Sequence, residues 1–344
     1  MGALVSICIP TYNGSATLGQ TLNSIADQEF DGLEVVICDD QSDDNTVALA
    51  EGFARQHPYV RIFRNAQNLG MDRNFARSAQ HATGTYVWFC GQDDVFKGGA
   101  FKKFREICTC HPEVDIVYFN YQMLSGDLSR EVASPPISLE EDAYFASSED
   151  YFRAIDHAPT FLAATVMRRS FWDKTPYEGF VDTHYVQMGV VLHNLRRSHV
   201  YVVADPRYVA CRVPEESWKS RGGQMLFEIF SGSLEVYHRV FHSDHNPVPE
   251  DLYRKKMGDF LRNLPINVVS FSERGFRLSP SIDARMKRLF GDRPLLYRLY
   301  VWPLVHLPPS LCALMLRIHR STFTRWMTRG AGRLLSWLGS RGAA

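Results

Sequence analysis

Two pairs of adjacent carboxylates, Asp39–Asp40 in "LEVVICDDQSDDNT" and Asp93–Asp94 in "TYVWFCGQDD", stand at the ends of apolar runs. Carboxylates that meet on one edge can hold a hard divalent cation of the Mg2+ or Mn2+ kind, and such a cation bridges diphosphate oxygens. The chemistry it would serve is the departure of a nucleoside diphosphate, whose growing charge a Lewis acid offsets. Asp39 and Asp40 end a buried run, where an unpaired charge is costly, so they must meet a polar cleft or a ligand such as a base or ribose. Arg73 and Asn74, in "MDRN", open a helix, and a guanidinium there suits phosphate oxygens. Each group also has a plainer use: Asp93–Asp94 as a helix N-cap, Ser42, Asp43 and Asp44 as caps of the helix near Asn45, and Arg73 as a partner of Asp72 or Asp94.

What must position these residues is a set of buried strands. "LVSICIP" is continuously apolar and rich in β-branched residues, as expected of a strand covered on both faces, and it stops at Pro10. A helical pattern in "SATLGQTLNSIADQ", a second strand in "LEVVICDD", and alternating helices and strands up to "TYVWFC" follow. Such alternation predicts an α/β fold, Rossmann-like, with a mostly parallel sheet and helices on both faces. Ligands of such sheets lie beyond the carboxyl ends of the strands. "PTYN", "DDQSDDNT", "NAQNLGMDRN" and "GQDD" all end strands, so they converge on one rim. Further on, Ser125 to Glu149 reads as a polar flap, "TFLAATVMRR" as a strand, "VDTHYVQMGVVLHNL" as a helix, and "HVYVVAD" and "YVACRV" as short strands. "CTCH", Cys108 to His111, reads as a helix end rather than a zinc site.

The 344 residues carry 38 basic and 38 acidic side chains, unevenly placed. Residues 291–344 hold eight arginines against the single acid Asp292, leaving 30 basic against 37 acidic residues in 1–290. An acidic body speaks against nucleic acid as a partner, whereas a basic tail interleaved with Trp326, Leu334, Leu335, Trp337 and Leu338 suits an anionic membrane surface. The stretch 299–316 has no Lys, Arg, Asp or Glu, but Pro303, Pro308 and Pro309 favour shallow insertion over a spanning helix. A helical subdomain packed on the catalytic body is the competing use of this region. Seven cysteines without framework spacing favour a reducing, cytoplasmic setting, and the basic tail would hold the chain peripherally at the inner face of the plasma membrane. The organisation expected is a catalytic domain over residues 1–217, a helical extension over 218–290 and a membrane-associating tail over 291–344.

The motifs "VSICIPTYNGSATLGQTLNSIADQ", "LEVVICDDQSDDNT" and "NLGMDRNFARSAQHATGTYVWFCGQDD", in this order, resemble those of family 2 glycosyltransferases, which have the GT-A fold. "TFLAATVMRRSFW", "FVDTHYVQMGVVLHNL" and "DPRYVACRVPEESW" extend the similarity towards abequosyltransferase-like enzymes, which add a dideoxysugar branch to a lipid-linked O-antigen repeat. The resemblance implies a nucleotide-sugar donor, a polyprenyl-diphosphate-linked oligosaccharide acceptor and a Mg2+ or Mn2+ ion. It places Pro10, Thr11 and Tyr12 at the base pocket, Asp39 on the base, Asp40 closing that pocket, and Arg73 and Asn74 near the diphosphate or donor sugar. The family pattern Asp-x-Asp-Asp is here Gly91-Gln92-Asp93-Asp94, which leaves Asp93 as principal metal ligand and Asp94 in support.

Inverting transfer also needs a base for the acceptor hydroxyl, opposite the leaving group. Asp182 in "GFVDTHY" stands where relatives carry that acid, with His184 as the alternative; helix capping by Asp182 and Thr183 is the structural use of the same residues. Two rival functions remain in view. A nucleotidyltransferase of similar fold would be expected to carry a basic, glycine-rich loop after the first strand, and "PTYNGSATLGQ" has no Lys or Arg. A catalytically inert glycan- or membrane-binding module is the other, prompted by Gly91.

Overall fold

A strand that is apolar on both faces needs cover on both, and the first strand obtains it at the centre of a sheet. The structure, a computed structural model, describes residues 3–28, 30–156, 160–213, 222–308 and 310–312. Its strands are β1 (Val5–Thr11), β2 (Leu33–Asp39), β3 (Val60–Arg64), β4 (Tyr86–Phe89), β5 (Val95–Phe96), β6 (Ile116–Phe119), β7 (Gln122–Ser125), β8 (Glu131–Ala133), β9 (Ala143–Phe145), β10 (Thr165–Arg168), β11 (Val200–Val203) and β12 (Val209–Val213). Eight form one sheet in the order β3-β2-β1-β4-β10-β6-β11-β9, and four form a second in the order β5-β12-β7-β8. β1 runs parallel to β2 and β4 in a register that sets Thr11 beside Asp39; β10 enters antiparallel between β4 and β6.

Helices α1 (Leu18–Ala26), α2 (Thr46–Ala54), α3 (Met71–His81), α4 (Ala100–Cys110), α5 (Ser148–Ile155), α6 (Arg169–Lys174) and α7 (Val186–Leu195) accompany the strands. The core is dense in aromatics: Trp88 meets the rings of Phe96, Phe101, Phe104 and Phe119 at centroid distances of 4.9, 5.6, 5.6 and 4.8 Å. Full burial of each such side chain stabilises the fold by roughly 1.5–3 kcal/mol. Pro10 sits in a central strand without harm. Cys8 O accepts from Cys90 N and Thr11 O from Asp40 N, both at 2.9 Å, so alternate peptides face alternate neighbours. Pro10 therefore faces the β4 side beyond the last paired residue, where no ladder bond is lost.

Three expectations change in detail. The flap between Ser125 and Glu149 contains β8 and β9, which join different sheets, because β8 folds back on its neighbour β7 while β9 pairs with the distant β11. The strand expected across "TFLAATVMRR" is confined to Thr165–Arg168 after a 3-10 turn, Leu162–Ala164. The helix expected from Val181 starts only at Val186. "CTCH" does end a helix, α4, with His111 as its C-cap.

The chain divides into two compact units, residues 1–215 with 240–248, and residues 216–239 with 249–344. The second unit is helical where it is described, with helices at Gly223–Phe241, Glu250–Glu273 and Pro280–Phe290. Its polar centre is Glu235, buried and bonded by Arg239, Arg285 and Arg288 at 2.5, 2.5 and 2.6 Å. Burial raises the carboxyl pKa, but the guanidiniums outweigh it and the net direction is downward.

Candidate active site

The carboxyl ends of β1, β2 and β4 form one polar rim, built in three parts. The first is a laced turn. Asp39 is buried; its Oδ1 accepts from Thr11 Oγ1 at 3.2 Å and from Ser42 Oγ, its Oδ2 from Ser42 N at 3.0 Å, and Arg64 Nε lies 3.4 Å away. Asp40, also buried, accepts from Asn65 Nδ2 (2.8 Å), Leu69 N (2.8 Å) and Gly70 N (2.9 Å). Asn74 lies inward as well, donating to Cys38 O at 2.9 Å and Thr11 O at 3.4 Å while accepting from Asn65 at 2.9 Å. The expected roles of Asp40 and Asn74 against a donor are thus not what their side chains do here. They tie the strand ends and the loop before α3 together, because α3 packs directly on β1 and β2.

The second part is the Gly91–Asp94 turn. Gln92 pairs with the backbone of Tyr12 in both directions, Tyr12 N to Oε1 and Nε2 to Tyr12 O, each at 3.0 Å, so the ends of β1 and β4 are clipped together. This leaves the Tyr12 ring half exposed on the rim. Asp93 and Asp94 fold back over Gly91: a Cβ there would lie 2.6 Å from Asp94 Oδ2 and 2.8 Å from Asp93 Oδ1. Asp94 is buried, and burial, followed by repulsion from Asp93, pushes its pKa well above the usual carboxylate range. Arg212 opposes that rise. It is buried on β12, donates its N–H to Asp94 Oδ1 at 3.2 Å and its Nε to Asp93 O at 2.8 Å, and bonds Gly126 O and Gln20 Oε1 with the rest of its guanidinium.

The donor set suits a cation that arrives with its own oxygen ligands. Two carboxylates converge on a space that only a glycine leaves open, and Mg2+ is commonly held by one or two carboxylates together with substrate phosphates. Among the described residues no group of three His, Cys, Asp or Glu side chains converges as a ready-made metal cage.

The third part carries the candidate base. Asp182 and His184 both adopt left-handed backbone, with φ of 65° and 67°. Non-glycine residues held there store strain of roughly 1–3 kcal/mol each, which surrounding contacts must offset. Asp72 supplies those contacts: buried beneath the loop, it accepts from His184 N at 2.8 Å and Val186 N at 3.3 Å. Burial raises its pKa. Thr183 Oγ1 donates to Phe180 O (2.6 Å) and accepts from Tyr185 N (3.1 Å), so Thr183 and Asp72, not Asp182, finish the start of α7. The Asp182 carboxylate is instead outside, in a bidentate pair with Arg73 at 2.9 and 3.4 Å. Asp182 is thereby held against the start of α3, the helix that packs on β1 and β2.

Residues 6–166 match the family described as glycosyl transferase family 2. The chain carries a family 2 glycosyltransferase domain. Over 235 residues it is 27% identical to abequosyltransferase RfbV of Salmonella typhimurium, a match covering 64% of this chain and 69% of that one. Over 98 residues it is 31% identical to the GalNAc(5)-diNAcBac-PP-undecaprenol beta-1,3-glucosyltransferase of Campylobacter jejuni, covering 28% and 31% of the two chains. In three dimensions this glycosyltransferase resembles S. aureus TarS 1-349 in complex with UDP, with a TM-score of 0.60 at 16% identity over 99% of this chain and 92% of that one. The fold is therefore of the GT-A kind, as the strand pattern indicates.

Sequence reasoning missed three residues of the site. Gln92, Asp72 and Arg212 all act by holding the turns that carry the candidates. Arg212 left a signal, a charged residue inside the apolar strand "YVACRV", since a buried guanidinium needs partners.

Proposed function

We propose that this glycosyltransferase is an inverting enzyme that moves a sugar from a nucleotide-sugar donor to a polyprenyl-diphosphate-linked oligosaccharide, in the synthesis of O-antigen or a related surface polysaccharide. Similarity to an abequosyltransferase favours a deoxyhexose as that sugar. The observation that carries the reading is the carboxylate pair folded over Gly91 on the rim. Asp93, supported by Asp94, would hold Mg2+ or Mn2+ there, and the ion when bound supplies Lewis-acid stabilisation of the departing diphosphate. Pro10, Thr11, Tyr12 and Asp39 border the side where the base of the donor would sit, with Asp40 and Asn74 bracing that wall from within. Arg73 is poised to exchange a surface carboxylate for a phosphate, and an ion pair as exposed as its present one contributes only about 0–1 kcal/mol. Asp182 takes the proton of the acceptor hydroxyl, with His184 as the alternative base.

The described residues include no helix long and apolar enough to cross a membrane. The segment 294–305 nevertheless buries Leu296, Val301 and Val305 while exposing Leu295, Leu299 and Trp302 on its other side, beside the exposed Arg298. That face supports peripheral association with an anionic membrane surface on the cytoplasmic side, where a lipid-linked acceptor would be met. Residues 313–344, including the Trp326 and Trp337 part of the proposed tail, lie outside the described residues.

The test is a panel of UDP, GDP, CDP and dTDP with the full chain, scored by thermal shift with and without Mn2+. A metal-dependent shift with one nucleotide supports the reading and names the base; no shift with any refutes it. The absence of an acid at Gly91 favours one other reading, an inert glycan- or membrane-binding module, which hydrolysis of a nucleotide sugar would exclude.

A further inference from the structure

A shallow groove of about 240 Å³ runs beside α3, bordered by Leu69, Arg73, Arg77, Gln80, Tyr177 and Glu178. Apart from Arg73 and the amide of Leu69, none of these residues has a role above. The groove begins at Arg73, whose guanidinium holds Asp182 at 2.9 Å, so one of its walls is the ion-pair partner of the candidate base. Its far end is Tyr177, whose ring stacks on the buried Trp172 at 5.3 Å and 23° and whose hydroxyl accepts from Gln80 Nε2 at 2.7 Å. Leu69 and Ala76 give the groove an apolar floor, while Arg77, Gln80 and Glu178 rim it with planar polar groups.

We propose that this groove is a subsite for a pyranose ring of the acceptor. A pyranose has an apolar C–H face and an equatorial belt of hydroxyls, and an aromatic wall with amide, guanidinium and carboxylate groups around it answers both. The volume lies below the roughly 300 Å³ at which pockets for drug-sized ligands begin, which suits one ring rather than an extended chain. Position decides the role. A hydroxyl within reach of Asp182 places the remainder of its sugar against Arg73, and the groove opens there. The inference rests on the transfer reading, since it takes Asp182 as the base.

The test is saturation-transfer NMR on the full chain with the methyl pyranosides of glucose, galactose, mannose, rhamnose and N-acetylglucosamine. The expected result is saturation of the ring protons of at least one glycoside, weakened about fivefold by Tyr177→Ala, the loss expected for one aromatic contact. Because the Tyr177 ring supports Trp172, the double variant Arg77→Ala, Glu178→Ala, which changes only exposed side chains, is the second arm and should weaken the signal likewise. Tyr144→Ala, at an exposed tyrosine elsewhere, should leave it unchanged. No contact from any glycoside, or equal contact in wild type and both variants, overturns the subsite. The same samples are run against the four nucleoside diphosphates with Mn2+. A nucleotide shift without glycoside contact keeps the transfer reading and removes the subsite; glycoside contact without any nucleotide shift removes the acceptor role along with the transfer reading.

Discussion

Restoring the family's acidic residue at position 91 would be expected from sequence alone to strengthen metal binding, and the structure predicts the opposite. Any side chain at Gly91 brings a Cβ to 2.6 Å from Asp94 Oδ2 and 2.8 Å from Asp93 Oδ1, well inside contact distance. Asp94 is short and buried, and its other oxygen is engaged by the Arg212 amide, so it has little room to yield. Overpacking at a site that cannot relax costs about 1–3 kcal/mol. If that displacement falls on the carboxylates, Gly91→Ala weakens Mn2+-dependent nucleotide binding by about 5- to 150-fold. Gly91→Asp adds a third negative charge beside a pair in which one acid already ionises with difficulty, so it should be no better than Gly91→Ala in the absence of metal and less stable above neutral pH. The assay is calorimetric titration of the preferred nucleoside diphosphate with and without Mn2+, with the metal-free melting temperature as the folding control. Tighter metal-dependent binding by Gly91→Asp, or unchanged binding by Gly91→Ala, would refute the argument that the glycine is what lets both carboxylates turn inward.

Asp182→Asn should lower transfer about 10²- to 10⁴-fold while leaving donor binding intact, as loss of a general base does; near-normal transfer at saturating acceptor would move the role to His184. Asp72 has its folded pKa raised by burial, so its contribution to stability is full below the unfolded value and is lost as pH rises through the folded one; Asp72→Asn should abolish that pH-dependent decline in the melting temperature. Glu235 shows the reverse sign: its folded pKa is lowered, so its contribution is present above the unfolded value of about 4.3 and is lost as pH falls through the folded value. Glu235→Gln removes the buried charge that Arg239, Arg285 and Arg288 share and should lower stability by about 3–5 kcal/mol at pH 7 in chemical denaturation. Leu299→Asp with Trp302→Asp should reduce cosedimentation with phosphatidylglycerol vesicles about tenfold and leave nucleotide binding unchanged; undiminished sedimentation would place the membrane contact elsewhere.

The parts of the fold that sequence revealed share one physical property. β1, β2, β4 and β6 are covered on both faces, so their residues are apolar except for Ser6 and Glu34, which bond each other, and polar runs mark their carboxyl ends. In the second sheet only β12 left such a mark, as "YVACRV". β5 is two residues long, and β12 pairs with β7 and β5, partners more than eighty residues away in sequence, so nothing local specifies that pairing. The same distinction runs through the site. Asp93 and Asp94 were legible because an acid pair after a buried strand has few places to go. The inward roles of Asp40 and Asn74 were not, because the bonds that occupy them come from the Asn65–Gly70 loop and from the carbonyls of Thr11 and Cys38, which depend on how α3 settles on the sheet.

The loop at Asp182 shows why such assignments need three dimensions. Two left-handed residues flanking a threonine leave only a weak sequence signature, since Asp and His adopt that backbone more often than most residues but far less readily than Gly, and "VDTHYVQMG" carries a helical pattern through them. What breaks the helix is Asp72, which takes the amides of His184 and Val186 and so fixes where α7 begins. Had the helix started at Val181, Asp182 would lie in its first turn as an ordinary capping acid. Delayed by five residues, it projects from a strained loop onto Arg73 at the start of α3. A buried acid on α3 thus keeps an exposed acid far along the chain out of a helix cap and against Arg73; with Asp182 as the proposed base, replacement of Asp72 should lower transfer through kcat more than through donor affinity.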